Sequence, residues 1–130
     1  MAIDPKEFVL GFDALWNTGN REAILAAIEE ESVVELIPAP PPGRPRYQGR
    51  EEIGSFVDSF LPGFHVDSRD FRTEGGDIVW ESDVRNDVFR GLGLDPASGT
   101  TRAKLDAGGK LRHFSFTLDQ AAVARLSGTT

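Results

Sequence analysis

The chain has 130 residues, which is enough for one domain with a buried core and too few for two ordinary domains. Its hydrophobic fraction is 39%, which is typical of a globular chain rather than a disordered one. The net charge of −7 opposes contact with phosphate backbones and anionic lipids, so we expect neither nucleic acid nor a membrane as a partner. No stretch approaches the roughly 20 apolar residues that span a bilayer.

The absence of cysteine excludes disulfides, thiol nucleophiles and cysteine-ligated zinc. The start of the chain also lacks the basic segment and apolar run of a signal peptide, so we expect a cytoplasmic protein. The two histidines, His65 and His113, lack a clear carboxylate partner, so we expect no metal and no cofactor. His113 stays a candidate general base, because an unperturbed imidazole titrates near neutral pH.

Helices are predicted in the first half of the chain. Asp4 can cap a helix that Pro5 begins and Gly19 ends, with apolar side chains at helical spacing between them. Asn20 can cap a short second helix, and a third helix begins at about Glu51. Because these helices precede most of the strands, the pattern predicts helices packed on one face of a sheet.

The remaining segments predict strands and turns. A first strand is predicted at 32–37, and a proline-rich surface loop at 38–45, because proline lacks the backbone donor that a helix or central strand needs. Further strands are predicted at 64–73, 78–89, 100–105 and 111–118, with hairpin turns at 74–77 and 106–109. Asp119 can cap a final short helix. The loop is favoured as a stiff connector; the alternative is a rim over a pocket that includes Arg44, Arg46 and Tyr47.

Four short motifs accompany this order of elements: WNTGN at 16–20, YQGR at 47–50, GDIVW at 76–80 and GKL at 109–111. Their order and spacing resemble the nuclear-transport-factor-2-like superfamily, which includes ketosteroid isomerase, limonene epoxide hydrolase and the SnoaL-like polyketide cyclases. The resemblance covers nearly the whole chain, as a single domain over residues 1–130. It implies an α+β fold: a cone-shaped, curved antiparallel sheet packed on three N-terminal helices, a cystatin-like roll that encloses an apolar pocket.

The catalytic groups of ketosteroid isomerase are missing from the matching positions. The resemblance places its tyrosine at Phe12, its base at Leu36 or Ile37, and its second acid near Thr101. Leucine cannot take a proton and phenylalanine cannot donate a hydrogen bond. The isomerase reaction is therefore not expected of this chain.

The resemblance to limonene epoxide hydrolase extends to its Arg-x-Asp half-site, which matches Arg85-Asn86-Asp87. Residues i and i+2 of a strand point the same way, so an arginine and an aspartate at this spacing can pair and face one substrate. The partner aspartate of that enzyme falls at Phe114 or Phe116 and is missing. Two interpretations stay open: the pair faces the pocket, or the charged strand face is solvated or lies at a dimer rim.

The resemblance also implies a cavity for a small apolar or aromatic metabolite and a homodimer formed through the outward face of the sheet. The residues predicted to bind the metabolite are Phe12, Trp16, Leu36, Phe60, Phe114 and Phe116. We therefore predict a SnoaL-like binding domain with acid/base chemistry of the cyclase, isomerase or epoxide hydrolase class. Asp87 is the predicted acid or base, and Arg85 orients it. The alternative is a non-catalytic ligand-binding or protein-interaction module.

Overall fold

The computed structural model describes residues 4–37 and 45–126. The helices of this part are α1 (Pro5–Asn17), α2 (Arg21–Ala26), α3 (Gly49–Phe60), α4 (Asp87–Gly91) and α5 (Gln120–Leu126). Its strands are β1 (Ile28–Ile37), β2 (Arg46–Gln48), β3 (His65–Glu74), β4 (Asp77–Arg85), β5 (Ala97–Leu105) and β6 (Leu111–Leu118). The fold is α+β, as predicted, and none of the described helices is long and apolar enough to cross a membrane.

The predicted helix caps are confirmed. The Asp4 carboxylate accepts a hydrogen bond of 2.9 Å from the backbone N–H of Lys6, at the start of α1. The Asn20 side chain accepts one of 3.1 Å from the N–H of Ala23, at the start of α2. Asp119 accepts one of 2.9 Å from Ala122. Each cap satisfies a donor that the first helical turn leaves unpaired, which is why these residues set where the helices begin.

The six strands form one open sheet in the order β2-β1-β6-β5-β4-β3. Strands β3 to β6 are an antiparallel meander, as predicted, but β1 pairs with β6 in parallel. The predicted antiparallel pairing therefore holds for four of the five strand pairs, and the parallel β1–β6 pair makes the sheet mixed. The parallel pair arises because the chain passes through α3 and the whole meander before it returns beside β1. Helix α1 packs on β3, and α3 packs on β1.

The strand predicted at 78–89 ends early, at Arg85. Asn86 is fully buried, and its side chain accepts a hydrogen bond of 2.8 Å from the N–H of Phe89 and donates one of 3.1 Å to the carbonyl of Phe60. This local capping competes with the sheet ladder and begins α4, so Asp87 lies on a helix rather than on a strand.

The segment that follows the proline-rich run also differs from the prediction. Strand β2 pairs with β1, and Tyr47 is buried with its ring centroid 5.0 Å from that of Phe56. Tyr47 therefore belongs to the core and not to an exposed rim. Arg46 is exposed on β2, whereas Arg44 and the proline run at 38–44 lie outside the described residues.

The two faces of the sheet differ sharply in polarity. The concave face carries apolar side chains against the helices, whereas the outer face carries ion pairs such as Arg72–Glu81 at 3.1 Å and Arg102–Asp77 at 2.7 Å. Val79 is on this outer face, opposite Arg72 on β3 and Arg102 on β5, and is nevertheless buried. Long arginine side chains can cover such a residue with their aliphatic parts while their charged ends stay in water.

Candidate functional site

The buried face of α1 carries an acidic residue. Val9, Asp13 and Trp16 are the buried residues of this helix, and their spacing of four and three places them on one face. Only 8% of Asp13 is exposed. The C-terminal end of α1 is held against β3 by Asn17, whose amide donates to the Val66 carbonyl at 3.1 Å and accepts from the Val66 N–H at 2.8 Å. This double hydrogen bond fixes the face that carries Asp13 over the sheet.

A cavity with a volume of about 50 Å³ lies between α1, α3 and the concave face of the sheet. The side chains that line it are mostly aromatic or aliphatic: Phe12, Asp13, Trp16, Leu36, Phe56, Phe60, Phe64, Val66, Trp80, Ser82, Val84, Phe89, Thr101, Phe114 and Phe116. All six residues predicted to bind a metabolite are among them. Of the lining residues, Phe12, Phe64 and Phe114 are half-buried rather than buried, so they lie where the cavity approaches the surface.

Polar groups in the cavity are few. The Ser82 and Thr101 hydroxyls lie 2.8 Å apart and bridge β4 to β5. The indole nitrogen of Trp16 is buried and has no hydrogen-bond acceptor among the described residues. Asp13 is the one ionisable side chain among the described lining residues. The site therefore combines one carboxyl group with several hydrogen-bond donors in an otherwise apolar space.

Burial raises the pKa of the Asp13 carboxyl to about 6, because the charged form loses its hydration inside the protein. The nearby Ser68 side chain lowers the pKa of Asp13 and so opposes this shift. Its hydroxyl nevertheless forms no hydrogen bond of normal geometry within the described chain. The Asp67 charge raises the pKa further, and His65 lowers it. A carboxyl group with this pKa is present in both protonation states near neutral pH, as an acid/base group must be.

The predicted catalytic pair lies outside the cavity. The Arg85 guanidinium is 3.5 Å from Asp67 and 3.5 Å from Asp95, and its side chain is 40% exposed. The Asp87 side chain is 63% exposed and pairs with Arg90 at 2.9 Å. Because β4 ends at Arg85, the two residues do not share a strand face, and the predicted geometry for joint action on one substrate is wrong. Of the two interpretations of this segment, the structure fits the solvated charged face.

Asp87 has a structural place instead. Its backbone N–H donates a hydrogen bond of 3.1 Å to the Pro62 carbonyl, and a Cβ atom on Gly63 would overlap its carboxylate. Gly63 has a φ of 70°, a conformation that favours glycine. Asp87 therefore packs closely on the turn that connects α3 to β3.

The histidines also lie away from the cavity. His65 is exposed, 3.3 Å from Asp67. His113 faces outward from β6 and pairs with Glu35 of β1, which is the carboxylate partner that the sequence did not reveal. Within residues 4–37 and 45–126, no three acidic or histidine side chains converge to hold a metal ion.

Comparison with known proteins identifies the fold. No protein-family model matches the chain, and no curated protein is significantly similar to it. A solved NTF2-like protein of unknown function from Cytophaga hutchinsonii is 17% identical and has a TM-score of 0.68, over 95% of this chain and 96% of that one. The chain has the NTF2-like fold.

Two other solved structures with the same overall fold are described by what they bind or make. A computationally designed 17-OHP binder is 15% identical, with a TM-score of 0.75 over 93% of this chain and 95% of that one. The epoxide hydrolase/cyclase-like enzyme SalBIII is described as acting in pyran ring formation in salinomycin. It is 16% identical, with a TM-score of 0.73 over 91% of this chain and 92% of that one. At these identities the likeness shows the shared fold alone.

The sequence prediction missed Asp13 because it considered the aromatic and other apolar residues of α1 and not the polar residue that shares their buried side. Positions four and seven residues after Val9 share its helix face, and these positions are Asp13 and Trp16. Ser82 was missed because it is a short polar residue in a strand otherwise described by its large apolar and charged side chains. Alternation along β4 would have placed Ser82 on the same face as Trp80 and Val84.

Proposed function

We propose that the protein binds a small, neutral, mostly apolar molecule in the cavity, with Asp13 as the group that holds or moves a proton on it. The observation that carries this proposal is a buried carboxyl group, with its pKa raised to about 6, in the wall of an aromatic cavity. Acids with a perturbed pKa in apolar clefts are candidates for functional sites. Burying such a group destabilises the fold, so it is seldom found without a use.

The charge of the ligand follows from the lining. An anion would meet the Asp13 carboxylate and no basic side chain among the described lining residues. The cavity already disfavours the charge of its own aspartate, and a second unpaired charge would meet the same loss of hydration. A neutral molecule with one or two polar atoms is the chemistry that this lining accepts.

The size of the cavity restricts the ligand further. A volume of about 50 Å³ accommodates a few water-sized groups, at roughly 10–15 Å³ for each. A small molecule of a few heavy atoms fits without rearrangement. A five- or six-membered ring requires the half-buried Phe12, Phe64 or Phe114 to turn outward, and side-chain rotation of this kind is common on binding.

Two of the structural neighbours support a small-molecule function for this fold, since one is a designed 17-OHP binder and the other an epoxide hydrolase/cyclase-like enzyme. The lining distinguishes the reactions available here. One carboxyl group can remove a proton and return it, whereas water attack on an epoxide, as in limonene epoxide hydrolase, uses a second acid and an arginine. We therefore propose binding with single-site proton transfer, and non-catalytic binding is the second candidate.

Binding is tested with small neutral probes, tetrahydrofuran and cyclopentane, by protein NMR titration. Leu36 lines the cavity, and its neighbour Ile37 is 44% exposed on the opposite face of β1, so Leu36→Phe and Ile37→Phe are a matched pair. We expect Leu36→Phe to abolish binding by filling the cavity and Ile37→Phe to retain it. Equal binding in both variants, or none in the unmodified protein, contradicts the proposal.

Proton transfer is tested separately with Asp13→Asn. The exchange of α-protons of cyclopentanone in D₂O, followed by NMR, reports a base that acts on a bound carbonyl compound. Exchange above the buffer rate that Asp13→Asn abolishes supports catalysis. Binding without such exchange favours the non-catalytic candidate, with Asp13 acting only as a polar contact.

Self-association and cellular location stay predictions. The homodimer implied by the resemblance would use the outer face of the sheet, where Arg72 pairs with Glu81, and Arg102 with Glu74 and Asp77, within one chain. Ion pairs of this kind are common at polar interface rims. Sedimentation velocity at several protein concentrations tests the dimer, and only monomer throughout contradicts it.

A further inference from the structure

The indole N–H of Trp16 is a buried donor without an acceptor. Trp16 is 8% exposed, and its Nε1 atom has no hydrogen-bond partner in the described part of the chain. The large majority of buried side-chain polar atoms in proteins have a partner, so an exception in a cavity wall needs a reason. The residue lines the cavity, one helical turn beyond Asp13.

Aromatic rings fix the position of this indole. The ring centroids of Phe64, Phe56 and Phe12 lie 5.0, 6.1 and 6.3 Å from that of Trp16. These neighbours pack against the indole and offer no acceptor oxygen for its N–H. The content of the cavity that Trp16 lines, a water molecule or a ligand, can supply the missing acceptor.

We propose that Trp16 determines specificity in the proposed ligand site, by donating a hydrogen bond to an acceptor oxygen of the ligand. The ligand class is a neutral, mostly apolar molecule with a carbonyl or ether oxygen. This inference rests on the proposed function and adds to it a preference for ligands that carry an acceptor oxygen. A hydrocarbon of the same shape leaves the Trp16 N–H unpaired. Its affinity is therefore lower than the free energy of moving it from water into an apolar cavity would predict.

A second source of hydrogen-bond donation lies on the opposite wall. In the Ser82–Thr101 pair one hydroxyl donates to the other, so one of the two protons stays available. This pair could select an acceptor oxygen in the same way. The two sources are separated by comparing Trp16→Phe with the double variant Ser82→Ala/Thr101→Val, because the first removes the indole N–H and the second removes both hydroxyls.

The test uses tetrahydrofuran and cyclopentane, two five-membered rings that differ by one ether oxygen. Their different hydration cancels when the ratio of the two dissociation constants is compared between protein variants. We expect Trp16→Phe to lower the preference for tetrahydrofuran by about 3- to 10-fold, the effect of one neutral hydrogen bond, while cyclopentane still binds. The Ser82→Ala/Thr101→Val variant is expected to change the ratio less than Trp16→Phe does.

An unchanged ratio in Trp16→Phe overturns the inference, and so does a larger change in Ser82→Ala/Thr101→Val than in Trp16→Phe. If Trp16→Phe does not fold, the indole N–H resonance of the unmodified protein decides instead. It should shift downfield with tetrahydrofuran and not with cyclopentane, and the absence of that difference overturns the inference. Binding of neither ring contradicts the proposed function itself, which separates the two failures.

Discussion

Asp13 and Trp16 lie one helical turn apart on the buried face of α1, and both line the cavity. One presents a carboxyl group whose pKa is raised to about 6, and the other presents an N–H without a described acceptor. Each residue weakens the fold when the cavity holds no partner for it. Their adjacency joins an acceptor and a donor on one rigid element, which is how a small polar molecule is oriented.

The raised pKa of Asp13 predicts a pH-dependent stability. The unfolded chain has an aspartate pKa of about 4, and the folded one about 6, so the folded state binds more protons between these values. The stability from Asp13 is thus full below about pH 4 and is lost as the pH rises through about 6. Relative to Asp13→Asn, the unmodified protein should lose about 2–3 kcal/mol of unfolding free energy between pH 4 and 7.5.

Urea denaturation of both proteins at these two pH values measures the difference directly. In the difference between the two proteins, the pH-dependent contributions of all groups that the substitution leaves undisturbed cancel. A constant difference between the two proteins would show that Asp13 is hydrated in the folded state.

The Ser82–Thr101 pair predicts a non-additive pair of substitutions. Both residues are 2% exposed, and Ser82→Ala leaves the Thr101 hydroxyl buried without its partner. We expect this single substitution to lower the unfolding free energy by about 1–3 kcal/mol. Adding Thr101→Val removes the second hydroxyl and should restore part of the loss. A double variant as unstable as the sum of the single ones contradicts the pairing, and chemical denaturation measures all four proteins.

Two glycines respond to alanine in opposite directions. A Cβ atom on Gly99 would overlap the Thr117 carbonyl of the neighbouring strand, whereas one on Gly11 meets nothing within 4 Å. Gly99→Ala should lower the unfolding free energy by about 1–3 kcal/mol, as overpacking does. Gly11→Ala, in the exposed middle of α1, should raise it by up to about 1 kcal/mol. Thermal unfolding distinguishes them, and a stable Gly99→Ala protein would contradict the close approach of β5 to β6.

Arg85 and Asp87 should be dispensable for the cavity. Both side chains are substantially exposed and pair with other surface residues. We expect Asp87→Asn to change stability by no more than about 0.5 kcal/mol, and Arg85→Gln to leave probe affinity within twofold. Urea denaturation measures the stability, and NMR titration with tetrahydrofuran measures the probe affinity of both variants. Loss of binding in either variant would restore this pair to the site.

The sequence predicted the fold well because its signals are local. Caps at Asp4, Asn20 and Asp119 and the glycine-rich hairpin turns act within a few residues, and each can be identified without knowing the rest of the chain. The parallel pairing of β1 with β6 joins segments about 80 residues apart, as in the contact of Ser32 with Leu111, and has no local signal.

The site was predicted in part, for a related reason. The resemblance implied the aromatic lining, and all six predicted residues reach the cavity. The acidic group was assigned to Asp87 because a strand was continued through Asn86, whose buried side chain instead begins a helix. Asp13 lies on a helix face between two apolar residues, and only tertiary packing decides that this face is buried.

The most direct test is a ¹³C NMR titration of the Asp13 carboxyl group, without and with saturating tetrahydrofuran. Burial in the cavity predicts a midpoint of about 6 in the free protein. A ligand that occupies the cavity should move that midpoint, because it changes the hydration of the carboxyl group. A midpoint near 4, or one that the probe leaves unchanged while it binds, contradicts a ligand site built around Asp13.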